Sequence, residues 1–188
     1  MSFLTHVPLQ TQMLAIASLG CLIAAVEDVR TGHIPNWLTF GLLSVGGMTQ
    51  VWLSHLAYPK LNTLLFVGSA LIGVVFSGLV PFLLWKKNAL GGGDLKLFAA
   101  LGALLGPLLG MQLQLYAFLI ALVLAPAKLA YEGKLIATLK NAGTLVINPL
   151  RRKERRVVLP SAALSEYRFG PAIFLAALVT TFTTLTTL

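Results

Sequence analysis

The chain of 188 residues has few charged residues and a single cysteine. Only 11% of its residues are charged, whereas 57% are hydrophobic; soluble domains carry about 25% charged residues. Cys21 alone can form neither an internal disulfide nor a cysteine-based zinc site. Because the apolar residues stand in blocks near the ~20 residues that span a bilayer as a helix, we expect an all-α, polytopic membrane protein.

Basic residues are also unevenly distributed. Nine of the fourteen Lys and Arg lie between Lys128 and Arg168, in one segment between apolar runs. This pattern is typical of a cytoplasmic loop facing anionic lipid, so membrane lipid is an expected partner and nucleic acid is not. No Lys or Arg precedes Arg30, which argues against a cleaved signal peptide and predicts that the first apolar run is retained.

The apolar blocks predict about six transmembrane helices within a single domain over residues 1–188. A break at Gly106-Pro107 separates the fourth block from the fifth, because proline does not continue a helix. Within the basic loop at 131–168, apolar residues recur at helical spacing and predict an amphipathic helix on the membrane surface. The predicted spans are residues 8–26, 37–56, 61–85, 95–105, 108–129 and 169 to the end.

The basic residues also predict an orientation. Counted in alternate loops, Lys and Arg divide 13 to 1, and the richer set is expected on the cytoplasmic side. On this topology Asp28 ends the first span and Asp94 begins the fourth, both at the cytoplasmic face. The two carboxylates are 66 residues apart in the chain, yet we expect them to lie at one depth.

Two adjacent carboxyl groups can share a proton, so that one activates a water molecule while the other donates to a carbonyl group. Each aspartate taken alone could instead be a helix cap or an interfacial anchor. Three glycines, Gly91 to Gly93, precede Asp94 directly. Because glycine tolerates backbone conformations that other residues avoid, we expect a flexible turn that lets a peptide approach Asp94.

These residues carry a family resemblance that extends over nearly the whole chain. The string from Gly91 to Lys96 resembles the Gly-x-Gly-Asp motif of intramembrane aspartyl proteases. Two further strings resemble elements of the type IV prepilin peptidases, namely their first-aspartate motif and the Gly-Pro segment before their last helix. The strings are Asp28-Val29-Arg30 followed by Ile34-Pro35-Asn36, and Phe169-Gly170-Pro171-Ala172.

The resemblance implies an aspartyl endopeptidase with Asp28 and Asp94 as catalytic residues and without a metal or another cofactor. Its substrates would be prepilin or pseudopilin precursors, cleaved at the cytoplasmic face of a bacterial inner membrane. The residues that would shape the site are Gly91, Gly92, Gly93, Lys96, Arg30, Pro35 and Asn36. Since the paired Cys-x-x-Cys motifs of the bifunctional members are missing, the chain is similar to the short forms that serve Flp-type (tight-adherence) pili.

Two other functions are compatible with a pair of membrane aspartates. A presenilin-like protease shares Gly-x-Gly-Asp, but the Tyr-Asp and Pro-Ala-Leu elements of that group are missing here. A small cation- or proton-coupled transporter would need polar residues near mid-membrane, and the apolar blocks have few. His33, five residues after Asp28, is interpreted as an interfacial loop histidine.

Overall fold

A computed structural model describes residues 9–56, 63–133, 136 and 168–187. All regular secondary structure in these residues is helical, which confirms the predicted all-α class for this part of the chain. The amphipathic helix predicted at 131–168 falls almost entirely outside the described residues. The helices are α1 (Leu9–Thr31), α2 (Asn36–Leu56), α3 (Thr63–Lys86), α4 (Gly92–Tyr131) and α5 (Gly170–Thr187).

Three of these helices are long and apolar enough to cross a membrane. They correspond to Gln10–Thr31 in α1, Leu64–Lys86 in α3 and Gly92–Tyr131 in α4, while α5 is a shorter apolar helix. These segments indicate a membrane protein. The number of six spans stays a prediction, because neither α2 nor α5 meets the same criteria over its described length.

Helix α4 is not straight, because it reverses direction at Gly106. That residue has φ 77° and ψ 178°, a combination that is essentially restricted to glycine. In a straight helix Gly102 and Gly110 would lie about 12 Å apart, but a Cβ added at Gly110 would lie 3.0 Å from the Gly102 Cα. The first arm (92–105) and the start of the second arm (107–131) therefore form a hairpin, as the Gly106-Pro107 break predicts.

Helix α3 packs closely against this hairpin through small residues. A Cβ at Gly73 would overlap the carbonyl oxygen of Gly102, and a Cβ at Gly102 would overlap that of Gly73. One turn further along, the buried Ser77 hydroxyl occupies the space that a Cβ at Gly110 would need. Such contacts between small residues let helices approach at backbone distance, as is common in membrane proteins.

Helix α2 contacts the end of the first arm. A Cβ at Gly46 would lie 2.8 Å from the Leu104 backbone nitrogen. The buried amide of Gln50 donates to the Leu104 carbonyl oxygen over 3.4 Å. Since the reversal at Gly106 ends the first arm, this bond serves one of the carbonyl groups that a helix leaves unpaired at its end.

Helix α1 packs along α5 and also contacts α2. The Ser18 and Thr181 hydroxyl groups lie 3.1 Å apart across the first interface. At the second, Leu42 fills the space beside Gly20. The start of α5 is thereby held beside the end of α1, which is where the candidate site lies.

The chain divides into two compact units, Met1–Ile120 with Arg168–Leu188, and Ala121–Tyr167. The described part of the second unit contains the end of α4, where Lys128 and Glu132 form an ion pair at 3.9 Å. A turn with Gly133 at φ 70° follows. All residues of the candidate site belong to the first unit.

Candidate active site

Asp28 is a buried carboxylate in the last turn of α1. Its side chain is 6% exposed, and its carbonyl oxygen accepts a hydrogen bond from Gly32 N–H at 2.9 Å. Gly32 has φ 74°, the left-handed conformation that commonly ends helices. Residues 32–35 form a turn that directs the chain into α2, with Asp28 just before the turn.

The carboxylate of Asp28 has a hydrogen-bond donor from a distant part of the chain. Its Oδ2 accepts from the backbone N–H of Gly170, the first residue of α5, over 2.8 Å. The first four N–H groups of a helix lack partners within the helix, and the positive end of the helix dipole favours a carboxylate there. Asp28 therefore occupies the N-terminal end of α5.

Asp94 is the third residue of α4 and is partly buried. The Gly91 carbonyl oxygen accepts from Leu95 N–H at 3.2 Å, so Gly91 occupies the position that caps the helix. The Asp94 carboxyl group accepts a hydrogen bond from the Gly91 N–H in return. This is half of a capping box, in which Gly91 and not Asp94 occupies the cap position.

The two aspartates lie within electrostatic reach of each other. Their carboxyl groups are close enough to interact electrostatically, although one ends α1 and the other begins α4. Two carboxyl groups that lie close together do not readily carry charge at the same time. This arrangement can provide a carboxylate that activates water and a protonated carboxyl group that donates a hydrogen bond.

Ile34 brings the turn after α1 against the start of α4. Its Cβ lies 3.0 Å from the position that a Cβ at Gly93 would take, and its backbone N and O lie 3.4 Å from the same position. Ile34 itself is buried. The turn that follows Asp28 is thus seated on the residue that precedes Asp94.

The predicted site-shaping residues of α2 and α4 include a contacting pair. The Lys96 ammonium group donates to the Asn36 side-chain oxygen at 2.8 Å and lies 5.8 Å from the centre of the Phe40 ring. The carbonyl oxygen of Pro35 accepts from two N–H groups in the first turn of α2. These contacts fix the beginning of α2 to the beginning of α4, beside the aspartates.

The backbone of Gly91 to Gly93 is ordinary, and the substrate access expected at these glycines stays a prediction. None of the three has a positive φ, and in this connection that conformation falls on Asn88 at φ 56°. Gly92 and Gly93 belong to the first turn of α4. What their small size provides is room, and at Gly93 the room is taken by Ile34 of the same chain.

Two residues near Asp28 point to solvent. Arg30 is exposed in the last turn of α1. His33 is exposed in the turn, where its Nδ1 lies 3.0 Å from the Thr31 carbonyl oxygen. In the described part of the chain no three His, Cys, Asp or Glu residues are grouped as metal ligands would be.

The sequence prediction gave no site role to the beginning of α5. Phe169 lies in an aromatic cluster with Phe98 and Phe118, at ring-centre distances of 6.1 and 5.5 Å. Arg168 donates to the Val29 carbonyl oxygen, and Gly170 donates to Asp28. The resemblance of Phe169-Gly170-Pro171 to a family segment was the only signal, and it carried no information about contacts.

Comparison with known proteins relates the chain to peptidases that process prepilins and preflagellins. The sequence model of the type IV leader peptidase family matches residues 15–126, a range that contains both aspartates but not Gly170. The prepilin peptidase EppA of Methanothermobacter thermautotrophicus is 34% identical over 92 residues, and the preflagellin peptidase of Methanococcus voltae is 26% identical over 91 residues.

The matched regions cover only part of these relatives. Each match includes 48% of the present chain, but 22% of the first relative and 37% of the second. No solved structure matches the chain at a significant level.

Proposed function

Because the chain belongs to the type IV leader peptidase family, we propose that it is a membrane aspartyl endopeptidase that removes the leader of prepilin-like precursors. The observation that carries this proposal is that the Asp28 and Asp94 carboxyl groups, at the ends of two helices, lie within electrostatic reach of each other. The matched relatives are named for prepilin and preflagellin, which supports a pilin-like precursor as the substrate class.

The proposed reaction needs only the two carboxyl groups and water. One aspartate accepts a proton from the attacking water while the other donates a hydrogen bond to the scissile carbonyl oxygen. Burial of Asp28 and partial burial of Asp94 support this proposal, because electrostatic interactions are stronger where water is limited. The roles of base and acid are proposed for the pair of carboxyl groups and not for one residue alone.

Finer features of the proposal come from the sequence. We propose Flp-type (tight-adherence) prepilins or pseudopilins as substrates, since the chain lacks the paired cysteines of bifunctional members. The 13 to 1 division of basic residues supports an active site at the cytoplasmic face of a bacterial inner membrane. Membrane lipid and the precursor are the proposed partners.

The test uses the full chain, purified in detergent and mixed with an Flp-type prepilin, with product identified by mass spectrometry. Asp28→Asn and Asp94→Asn should each lower cleavage by about 10²- to 10⁴-fold or more, the range of general acid–base catalysis. Glu27→Gln is the matched control, because Glu27 is the neighbouring carboxylate on the same helix, and it should cleave within about twofold of wild type.

Each outcome distinguishes between functions. Full processing by either aspartate variant, with the protein folded, would refute the catalytic pair. A wild-type protein that cleaves other membrane peptides but no prepilin would favour a presenilin-like protease. Ion uptake in proteoliposomes without any cleavage would favour a transporter.

A further inference from the structure

The amide of Gly170 occupies a special position among the N–H groups at the start of α5. It donates to Oδ2 of Asp28 at 2.8 Å, and the carboxylate that receives it is 6% exposed. Hydrogen bonds from N–H groups to a carboxylate are shorter and stronger than bonds between neutral groups. This bond therefore fixes one oxygen of a side chain that could otherwise rotate.

The absence of a side chain at residue 170 is what allows this contact. A Cβ there would lie 2.8 Å from the Asp28 Cβ, 2.9 Å from its Oδ2 and 3.1 Å from the Ala25 Cα. Two of these three atoms belong to the aspartate itself. Any larger residue would thus push the carboxylate away from its position, because the backbone of α1 on the other side is also in contact.

The neighbouring residues hold the Gly170 amide in place. Arg168 donates to the carbonyl oxygen of Val29, the residue after Asp28. The Phe169 ring packs against Phe98 and Phe118 of the two arms of α4, and Phe98 is fully buried. The start of α5 is therefore tied both to the helix that carries Asp28 and to the helix that carries Asp94.

We propose that Gly170 is a positioning residue of the active site, whose amide holds Oδ2 of Asp28 and leaves Oδ1 for the reaction. This inference rests on the proposed peptidase function and adds a third helix to a site otherwise formed by α1 and α4. Gly170 lies outside the region matched by the family, residues 15–126. The beginning of α5 thus completes the environment of the catalytic pair.

The first test compares Gly170→Ala with Gly68→Ala, a change in α3 where an added Cβ meets no atom within 4 Å. We expect Gly170→Ala to lower kcat for prepilin cleavage by roughly 10²-fold, since a displacement near 1 Å can have that effect. KM should stay within about twofold of wild type, because the precursor is bound by other groups. Gly68→Ala should leave both constants unchanged.

The second test observes the hydrogen bond without using activity. In protein labelled with 15N-glycine, the Gly170 amide is assigned from its absence in a Gly170→Ala sample, or by sequential assignment if that variant does not fold. Its proton resonance should move upfield in Asp28→Asn, because a neutral amide oxygen is a weaker acceptor than a carboxylate. In the control Glu27→Gln the resonance should not move.

The two tests separate this inference from the proposed function. If wild type cleaves prepilin but Gly170→Ala has an unchanged kcat, the inference fails and the peptidase function stands. If wild type cleaves no precursor, the proposed function is refuted. The amide resonance then still tests whether Gly170 donates a hydrogen bond to Asp28. A Gly170 resonance that is the same in wild type and Asp28→Asn would overturn the inference whatever the activity.

Discussion

Lys96 donates a hydrogen bond from its ammonium group to the side-chain oxygen of Asn36 across 2.8 Å. The two residues are 60 positions apart and join the first turn of α4 to the first residue of α2. Asp94 is two residues before Lys96, so the bond links the helix of one aspartate to the turn that follows the other. It is exposed, and we expect it to contribute to site geometry more than to stability.

This pair can be tested with a double-mutant cycle. Lys96→Met and Asn36→Ala should each reduce prepilin cleavage, and the double variant should be no worse than the stronger single variant. The coupling expected from residues in direct contact is about 0.5–1 kcal/mol in the free energy of activation. Lys86→Met, which removes an exposed cation at the end of α3, is the control. Additive effects of the two changes would contradict a functional bond.

The crossing of α3 and the α4 hairpin predicts a large effect on stability. Gly73→Ala would place its Cβ onto the carbonyl oxygen of Gly102, where backbone rather than a flexible side chain must yield. We expect a loss of about 1–3 kcal/mol or more, as for other overpacked sites. Thermal unfolding in detergent measures this loss of stability, and the control is Gly68→Ala on the same helix, where the added Cβ is in open space. Equal melting temperatures would refute the close approach.

The helices and turns of the described residues were accessible from the sequence because they depend on local patterns. Apolar blocks identify the helices, Gly32 and Pro35 mark the turn after Asp28, and Gly106-Pro107 marks the reversal of α4. From these elements and the count of basic residues, the two aspartates are expected at one membrane face. The structure places their carboxyl groups within electrostatic reach.

The contacts that complete the site were not accessible in this way. The bond from Gly170 to Asp28 joins residues 142 positions apart, and a backbone amide leaves no pattern in the amino-acid sequence. The contact of Gly93 was also not accessible, since glycine signals conformational freedom in general and does not reveal that Ile34 lies against it. Whether a glycine provides conformational freedom or space for a neighbouring residue depends on tertiary packing, and the periodicity of apolar residues in the sequence does not encode that packing.

The reversal at Gly106 should depend on its backbone conformation. Its φ of 77° with ψ of 178° is unfavourable for residues with a Cβ, so Gly106→Ala should destabilise the protein by about 1–3 kcal/mol. The nearest atom to the added Cβ, the Ser69 hydroxyl oxygen at 3.5 Å, is in ordinary contact, so conformation and not crowding would be responsible. Gly47→Ala in α2, with ordinary φ and open space, is the control for unfolding measurements. If Gly106→Ala and Gly47→Ala had the same free energy of unfolding, the backbone conformation at residue 106 would not require glycine.

The glycines before Asp94 should differ sharply in their tolerance of alanine. At Gly92 the nearest atom to an added Cβ is the Trp85 Nε1 at 3.4 Å, an ordinary contact, whereas at Gly93 it is the Ile34 Cβ at 3.0 Å. Since Ile34 lies in the turn that follows Asp28 and α1, Gly93→Ala should separate the two carboxyl groups. We expect cleavage to fall roughly tenfold or more, because a small displacement of catalytic groups has large effects.

Gly92→Ala is the matched variant one residue earlier, and it should cleave prepilin at nearly the wild-type rate with unchanged thermal stability. Both variants replace a helical glycine with alanine, so differences in helix propensity are much the same for the two. A lower rate in Gly93→Ala alone would therefore report the contact with Ile34. Equal loss in both would instead favour a requirement for backbone freedom or substrate access along the whole glycine segment, the role expected from the sequence.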